Sequence, residues 1–224
     1  MSLDNPIWTA LETRHAHLAQ GDARARRYPP EVSPFAAVPD TSPKSLAALA
    51  DLARPGETLL TIRAEPIPAP PGMELATAAE AVQMLADPPL PEVDDPRLRP
   101  LETLDAADML ALATLSEPGP FSLRTLELGR FWGIRIDGRL AAMAGERLKL
   151  PGHAELSGVC VHPDFRRRGL GALMSRFVAG RIAAAGETAF LHAYAANVAA
   201  IGLYAALGFR LRRTMRVAAL RRPD

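Results

Sequence analysis

The stretch Glu155-Leu-Ser-Gly-Val-Cys-Val-His-Pro-Asp-Phe-Arg-Arg-Arg-Gly-Leu-Gly-Ala172 decides how this chain folds. Its first part alternates β-branched residues with others through residues 159–161, which favours a strand. Pro163 cannot donate to a strand ladder, so we expect the strand to end there. Three arginines and the pair Gly169-x-Gly171 follow, after which apolar residues at helical spacing predict a helix. The stretch therefore reads as strand, basic loop and helix start.

The basic loop is a candidate anion site. Glycines at the start of a helix leave backbone N–H groups free, and the helix dipole adds partial positive charge there. Such an arrangement suits a phosphate. A Gly-x-Gly pair alone is more often a turn, and three consecutive arginines are more often a solvated face. No Gly-Lys-Ser/Thr follows, so the loop is not a Walker phosphate loop.

Composition restricts the class of protein. The chain has 224 residues, 48% of them hydrophobic, which allows one large or two small domains with a buried core. Its net charge of +1 gives no general case for nucleic acid or an acidic membrane surface. The single Cys160 excludes a disulfide framework and a multi-thiolate zinc site, so we expect no metal. A reducing cytoplasm fits best, since neither a membrane-spanning run nor an export signal is evident.

Proline is distributed unevenly, which indicates two regions. Eighteen of the 21 prolines precede residue 121, and Pro88–Pro100 holds five of them. We therefore predict an N-terminal region over 1–90, a linker over 91–100 and a second domain over 97–224. In the N-terminal region the apolar spacing predicts helices at 6–20, 45–52 and 74–85 and a strand at 58–62.

The second region has a clearer pattern. Asp137-Gly138 between two apolar runs predicts a hairpin with a tight type I′ turn. The predicted order of elements is a helix at 106–115, a short helix at 122–128, strands at 131–136, 140–148 and 155–161, a helix at 169–185, a strand at 188–194, a helix at 197–207 and a strand at 209–220.

This order coincides with specific motifs. Arg166-x-x-Gly169-x-Gly171 is followed by Asn197-x-x-Ala200-x-x-x-Tyr204-x-x-Leu207-Gly208-Phe209. Together the motifs resemble the GNAT superfamily of N-acetyltransferases over residues 97–224. The motifs Glu155-x-x-Gly-Val-x-x-His-Pro and Leu203-Tyr204-x-x-Leu-Gly-Phe look most like its FR47-like branch. The resemblance does not extend to residues 1–90.

The resemblance implies a fold and a cosubstrate. The fold is α/β (α+β), a mixed and mostly antiparallel sheet flanked by helices, in which strands 155–161 and 188–194 run parallel and splay apart. Acetyl-CoA would place its pyrophosphate on the basic loop and its pantetheine arm along strand 155–161, like an added strand. The residues implied in its binding are Val159, Cys160, Val161, Arg166, Arg167, Arg168, Gly169, Leu170, Gly171, Ala172, Asn197 and Tyr204.

Two residues are implied in catalysis. Tyr204 would donate a proton to the leaving thiolate, although it could instead be a packed aromatic. Glu155 would accept a proton from the amine, with a pKa raised by an apolar cleft. The alternative is a structural Glu155 paired with an arginine. Other candidates for the base are Glu146, His153, His192 and water.

Two further residues, Cys160 and Trp132, are candidates for a role in the site. Cys160 lies between valines with no base beside it in sequence, so a small buried hydrophobe is the better interpretation than a nucleophile. Trp132 either lines the acceptor site or packs in the core.

The predicted function is direct transfer of acetyl from acetyl-CoA to an amine of a small molecule, peptide or protein, and the alternative is a non-catalytic acetyl-CoA-binding module. The region 1–90 would be an acceptor-site or oligomer element, or a degenerate second copy of the fold. A homodimer is compatible with the sequence, whereas nucleic acid and membrane are not expected partners.

Overall fold

The computed structural model describes residues 2–224 and contains five α-helices and eleven strands in that range. The helices are α1 Pro6–Glu12, α2 Pro43–Leu52, α3 Ala106–Ser116, α4 Leu170–Ala184 and α5 Val198–Ala206. The strands are β1 Gln20–Gly21, β2 Arg26–Arg27, β3 Ala36–Ala37, β4 Thr58–Arg63, β5 Glu74–Ala86, β6 Arg99–Leu101, β7 Phe131–Ile136, β8 Arg139–Leu150, β9 His153–Val161, β10 Thr188–Tyr194 and β11 Phe209–Arg221.

The central feature is an eight-stranded sheet in the order β4-β11-β5-β10-β9-β8-β7-β6, and β1, β2 and β3 form a small second sheet. Every neighbouring pair in the large sheet is antiparallel except β9 and β10. The predicted α/β class with a mixed, mostly antiparallel sheet is therefore confirmed.

The β7–β8 hairpin forms where the sequence predicts it. Asp137 and Gly138 have φ angles of +50° and +78°, the left-handed conformation that both central residues of a type I′ turn require. β8 and β9 then continue the antiparallel pairing, with Met143 opposite Cys160. The turn residues therefore account for the pairing of β7 with β8.

The predicted helix at 74–85 is wrong. These residues form β5, which pairs with β10 on one side and β11 on the other. The apolar spacing through Ala78, Val82 and Leu85 fits a helix, but two strand edges are available to this segment and their hydrogen bonds override the local preference. A strand from the N-terminal region thus lies inside the sheet, between two strands of the C-terminal region.

Helix α4 covers one face of the sheet. Leu170, Met174, Val178 and Ile182 recur at a spacing of four and are buried against β8, β9 and β10. Each such side chain stabilises the fold by about 1.5–3 kcal/mol. An added Cβ at Gly180 would lie 2.5 Å from the Pro91 carbonyl oxygen, so residues 91–92 run directly against this helix.

The other face of the sheet is covered by α3 and by the N-terminal region. Ile7, Leu11, Tyr28 and Phe35 pack with Phe190 of β10 in one apolar cluster. His15 Nδ1 lies 2.8 Å from Tyr28 Oη within this layer. Residues 1–90 therefore supply both strands and a covering layer, while their separation as a region remains a prediction.

Within residues 2–224, no helix has the length and apolar character needed to cross a membrane. The same residues contain no group of three or more His, Cys, Asp or Glu side chains arranged to hold a metal ion.

Candidate active site

A cleft opens where β9 and β10 part. The two strands pair only at Thr188–His153, Ala189–Ala154 and Phe190–Glu155. Beyond Glu155 the β10-facing edge of β9 has no ladder partner, so its backbone groups can pair with an extended ligand. A cavity of about 200 Å³ occupies the gap, and Gly158, Val159, Tyr194 and Tyr204 contribute to its walls. The predicted splay of the parallel pair is present.

The basic loop ends in the predicted helix start. Gly169 (φ +72°) and Arg167 (φ +59°) are both in the left-handed region and turn the chain into α4. Among the described residues, the N–H groups of residues 169–172 have no hydrogen-bond acceptor. Successive free N–H groups at a helix N-terminus form an anion nest. The backbone of the loop therefore presents a nest of N–H groups that an anion can occupy.

The side chains of the loop are of two kinds: some pack against the protein, and others are exposed arginines without an ion pair within residues 2–224. Leu170 is buried in the core, so its side chain fixes the helix and only its N–H faces the nest. Arg168 stacks on Phe165, with its guanidinium carbon 5.2 Å from the ring centroid. Arg166 and Arg167 are exposed, and neither forms an ion pair with another described residue. Their charges remain available to an anion in the nest.

Asn197 and Tyr204 reach the cleft from α5. Asn197 precedes the helix, and its Oδ1 accepts a hydrogen bond of 3.1 Å from the Ala200 N–H, which caps the helix start. Burial, with the nearby Cys160 thiol, raises the pKa of Tyr204 to about 12. The phenol is therefore protonated at neutral pH and can donate its proton.

Cys160 and Trp132 both prove to be core residues. Burial raises the pKa of the Cys160 thiol to about 12, so a thiolate nucleophile is not accessible near neutral pH. Its side chain packs against α3, and its backbone is paired with Met143 of β8 rather than with the cleft edge. Trp132 packs edge-on against Phe177 of α4, with the ring centroids 5.5 Å apart, and it does not line the β9–β10 cavity.

Glu155 differs from its prediction. Its Oε1 accepts hydrogen bonds from Arg147 Nη2 at 2.7 Å and from His192 Nδ1 at 2.7 Å. Its Oε2 accepts from Arg147 Nε at 2.8 Å and from the Leu148 N–H at 3.3 Å. Burial alone would raise its pKa, but the charge and hydrogen bonds of Arg147, with the bond from His192, lower the pKa to about 2. The predicted raised pKa is wrong, because the partner charge outweighs desolvation.

The alternative bases lie elsewhere or are already bonded. Glu146 pairs with Lys149 Nζ at 2.7 Å, and His153 Nδ1 lies 3.1 Å from the Pro151 carbonyl; neither lines the cavity. His192 lines the cavity, but both of its nitrogens are engaged. Its Nδ1 meets Glu155, and its Nε2 lies 3.0 Å from Gln83 Nε2, which can only donate.

A chain of hydrogen-bonded polar side chains, called the polar line below, crosses the sheet beneath the cleft. It runs from Arg147 on β8 through Glu155 and His192 to Gln83 on β5, whose Oε1 accepts a 2.7 Å hydrogen bond from Arg212. Gln83 Nε2 also donates to the Leu3 carbonyl at 2.9 Å. These hydrogen bonds connect the wall of the cleft to the N-terminal region.

Several cleft residues were not predicted from the sequence. The N-terminal region contributes Phe35, Leu60, Ile62 and Ala81, and the loop 116–120 after α3 closes another side. Arg147 was also missed, because the sequence does not indicate which way the side chain of a strand arginine points. Apolar residues within the proline-rich segment 24–43 were the available indication for Phe35, because a loop-rich segment retains such side chains only if it packs.

Comparisons with known proteins agree with this geometry. The model of the FR47-like protein family matches residues 132–217. A crystal structure of a GNAT-family protein from Novosphingobium aromaticivorans is 42% identical, covers 100% of both chains and superposes with a TM-score of 0.94. A GCN5-related N-acetyltransferase from Kribbella flavida covers 97% of this chain and 94% of its own, with a TM-score of 0.64 and 16% identity, which shows the fold alone.

A curated relative matches about a third of this chain. It is the [ribosomal protein bS18]-alanine N-acetyltransferase of Salmonella typhimurium, 40% identical over 77 residues. The match spans 34% of this chain and 51% of the relative, so this chain covers about half the length of that protein. Full-length similarity to the Novosphingobium protein, the FR47-like match over residues 132–217 and the splayed strands agree on one assignment: the chain belongs to the GNAT family of acetyltransferases.

Proposed function

We propose that this protein transfers an acetyl group from acetyl-CoA to the amine of an acceptor bound in the β9–β10 cleft. The observation that carries the proposal is that the unpaired edge of β9 and Tyr204 line one cavity, and that the anion nest at α4 lies beside the end of the same strand, where a Cβ built on Gly171 would be 3.6 Å from Val161 Cγ2. A pyrophosphate fits the free N–H groups of residues 169–172, and an amide-containing arm fits the β9 edge.

The residues present fit acetyl-CoA, which supplies the thioester. Residues 169–172 would hold its phosphates through backbone N–H groups, with Arg166 and Arg167 adding charge. The backbone of Val159 and Val161 would pair with the pantetheine arm, whereas Cys160 is paired with Met143 of β8, and Asn197 Nδ2 would supply a further donor. Gly158, with φ +62°, changes the direction of the β9 edge at this point.

Tyr204 is the proposed proton donor. As the acceptor nitrogen bonds to the acyl carbon and the carbon–sulfur bond breaks, the Tyr204 hydroxyl gives its proton to the leaving sulfur. Its raised pKa supports this role because the phenol carries its proton at neutral pH.

We assign Glu155 to positioning rather than to proton transfer, since all its bonds go to protein groups and it does not line the cavity. The proton of the amine then leaves through water at the mouth of the cleft, where Glu117 is the lining carboxylate in the part of the chain that the structure describes.

The N-terminal region is proposed to be an acceptor-site element. Four of its residues, Phe35, Leu60, Ile62 and Ala81, form an apolar wall of the cavity. The Salmonella relative acts on an alanine of a ribosomal protein, which makes a protein or peptide amine one acceptor class to test beside small amines. A cytosolic location is proposed on the buried state of the one thiol, Cys160.

Thermal melting followed by a turnover assay tests the proposal. Acetyl-CoA should raise the melting temperature by linkage, and CoA thiol should then be released with at least one amine of a broad panel. The absence of any shift would overturn acetyl-CoA binding. A shift without thiol release from any amine would favour the non-catalytic binding module instead.

A further inference from the structure

Arg147 has a donor that the protein does not use. The residue is 9% exposed and lines the cavity, and its Nε and Nη2 are both bonded to Glu155. Its Nη1 has no hydrogen-bond acceptor anywhere in residues 2–224 and is not sealed away from the cavity. A Cβ built on Gly119 would lie 4.0 Å from this nitrogen, which places it beside the loop that closes the cleft.

The orientation of the guanidinium is fixed before any ligand arrives. Glu155 holds one edge with two hydrogen bonds, and Phe35 lies against its face with the ring centroid 4.9 Å from the guanidinium carbon. A planar group gripped in this way can offer its remaining N–H groups in only one direction. An N–H donor without an acceptor is unfavourable in a cavity that is partly shielded from water. The site therefore favours a ligand with a hydrogen-bond acceptor beside Arg147 Nη1.

The local charge selects a carboxylate. Arg147 and Glu155 together are close to neutral, but the pair is a dipole whose positive end, the guanidinium with its Nη1, is on the cavity side, while the neighbouring His192 is oriented by Glu155 rather than free. A doubly charged phosphate would lack compensating charge at this place, and the separate nest at α4 already provides a phosphate site. A single carboxylate on a charged donor gives a hydrogen bond of the stronger, charge-assisted kind.

Cavity size and lining restrict the rest of the ligand. The volume of about 200 Å³ is below the range for drug-sized ligands, about 300–1,000 Å³. Phe35 lies against Arg147, and Leu60, Ile62 and Val217 form an apolar part of the same cavity lining. The bound molecule is therefore small, with an apolar side chain.

We infer that the acceptor is a free amino acid with an apolar side chain, whose carboxylate binds Arg147 Nη1. This inference rests on the proposed acetyl transfer and narrows it. Tyr204 lines the same cavity, so an amine one carbon from the anchored carboxylate lies in the space that this phenol adjoins. A peptide N-terminus carries an amide where the free amino acid carries its carboxylate, and it loses this contact.

Matched acceptors and a matched variant test the inference in the full-length protein. L-leucine and L-leucinamide share the amine and the side chain, and only leucine has the carboxylate. Thiol release from acetyl-CoA should be the readout, as kcat/KM for each acceptor, with valine, methionine and their amides as a second series. In the native protein the acid should be preferred over its amide.

Arg147→Lys is the informative variant, because lysine retains a cation for Glu155 but lacks the second nitrogen that faces the cavity. It should lower kcat/KM for leucine by about ten- to a hundredfold and change leucinamide little, so that the ratio between them collapses. Arg212→Lys, on the same polar line but outside the cavity lining, should leave the ratio as in the native protein.

The outcomes separate this inference from the proposed function. Equal use of leucine and leucinamide by the native protein, or an unchanged ratio in Arg147→Lys, overturns the carboxylate contact while acetyl transfer stands. Should Arg147→Lys fail to fold, calorimetric binding of leucine against leucinamide to the native protein with CoA present decides the point. No effect of acetyl-CoA on melting, with no thiol release, would instead remove the proposed function itself.

Discussion

Arg147 and Glu155 face each other on adjacent antiparallel strands and form two hydrogen bonds, of 2.8 and 2.7 Å, directly beneath the cleft. The pair is buried, and it changes the chemistry of both members. Glu155 becomes a poor proton acceptor, and Arg147 becomes a fixed donor with one nitrogen left for a ligand. A carboxylate that resembled a catalytic base in the sequence is thus a support for a binding residue.

Breaking that pair should cost stability. Glu155→Gln leaves the Arg147 guanidinium buried without its counter-charge, for which we expect a loss of about 3–5 kcal/mol of unfolding free energy. Urea unfolding monitored by circular dichroism measures it. Glu92→Gln is the control, because both members of its ion pair with Arg181 are about half exposed, and we expect a loss of about 1 kcal/mol or less. Equal losses in the two variants would contradict the assigned role of Glu155.

Tyr204→Phe should lower turnover and spare binding. Removing the hydroxyl removes the proton donor, and general acid catalysis typically contributes about 10²–10⁴-fold. The measurement is kcat with a saturating acceptor, paired with the acetyl-CoA-induced shift in melting temperature, which should persist. Turnover within twofold of the native value would assign Tyr204 to packing against Phe209 instead.

Two glycines allow a controlled test of the phosphate cradle. Gly169 and Gly152 both have φ +72°, and an added Cβ at either position would meet nothing within 4 Å. Alanine at either position therefore brings a similar left-handed strain, about 1 kcal/mol. Only Gly169→Ala should also weaken acetyl-CoA binding, by several-fold, because the strain reorients the N–H groups of the nest. Calorimetric titration compares the two variants, and equal affinities would count against the nest.

Stability should depend on pH through His15. Burial, with the nearby positive charge of His17, lowers the pKa of His15 from 6.5 to about 4. The unfolded chain therefore takes up a proton first, so the stabilisation is complete above pH 6.5 and is lost as the pH falls towards 4. The full loss is on the order of 3 kcal/mol.

Urea unfolding at pH 7 and pH 5 measures this effect. The difference between the two pH values should shrink in His15→Gln, which cannot titrate in this range. A variant with the same pH dependence as the native protein would show that another group is responsible.

Residues 97–224 should not fold alone. Removing the N-terminal region takes away β5, which pairs with both β10 and β11, and exposes the edges of both strands. We expect the fragment to aggregate or to melt without cooperativity in calorimetry. A fragment with a cooperative transition and an acetyl-CoA-dependent shift would support an autonomous domain, as the proline distribution alone suggests.

The sequence predicted best where structure is local. The β7–β8 turn follows from Asp137-Gly138, and the strand–loop–helix unit follows from residues 155–172, because each depends on neighbours within a few positions. Helix α4 begins at Leu170, one residue from its predicted start. The prediction of a helix at 74–85 was wrong because the alanine-rich pattern fits both the helical and the strand period. The segment forms a strand because it pairs with the edges of β10 and β11.

The sequence by itself determined the family, the β7–β8 turn and the start of α4, and it predicted the phosphate cradle and the proton-donating role of Tyr204, because glycine conformation, helix period and motif spacing are properties of adjacent residues. The tertiary structure decided what Glu155 does and where Arg147 points. The pKa of Glu155 is the balance between desolvation and the charge of Arg147, and its contact with His192 bridges 37 positions. The link from His192 to Gln83 bridges 109. No local pattern encodes such contacts, since they exist only once β5, β8, β9 and β10 are side by side.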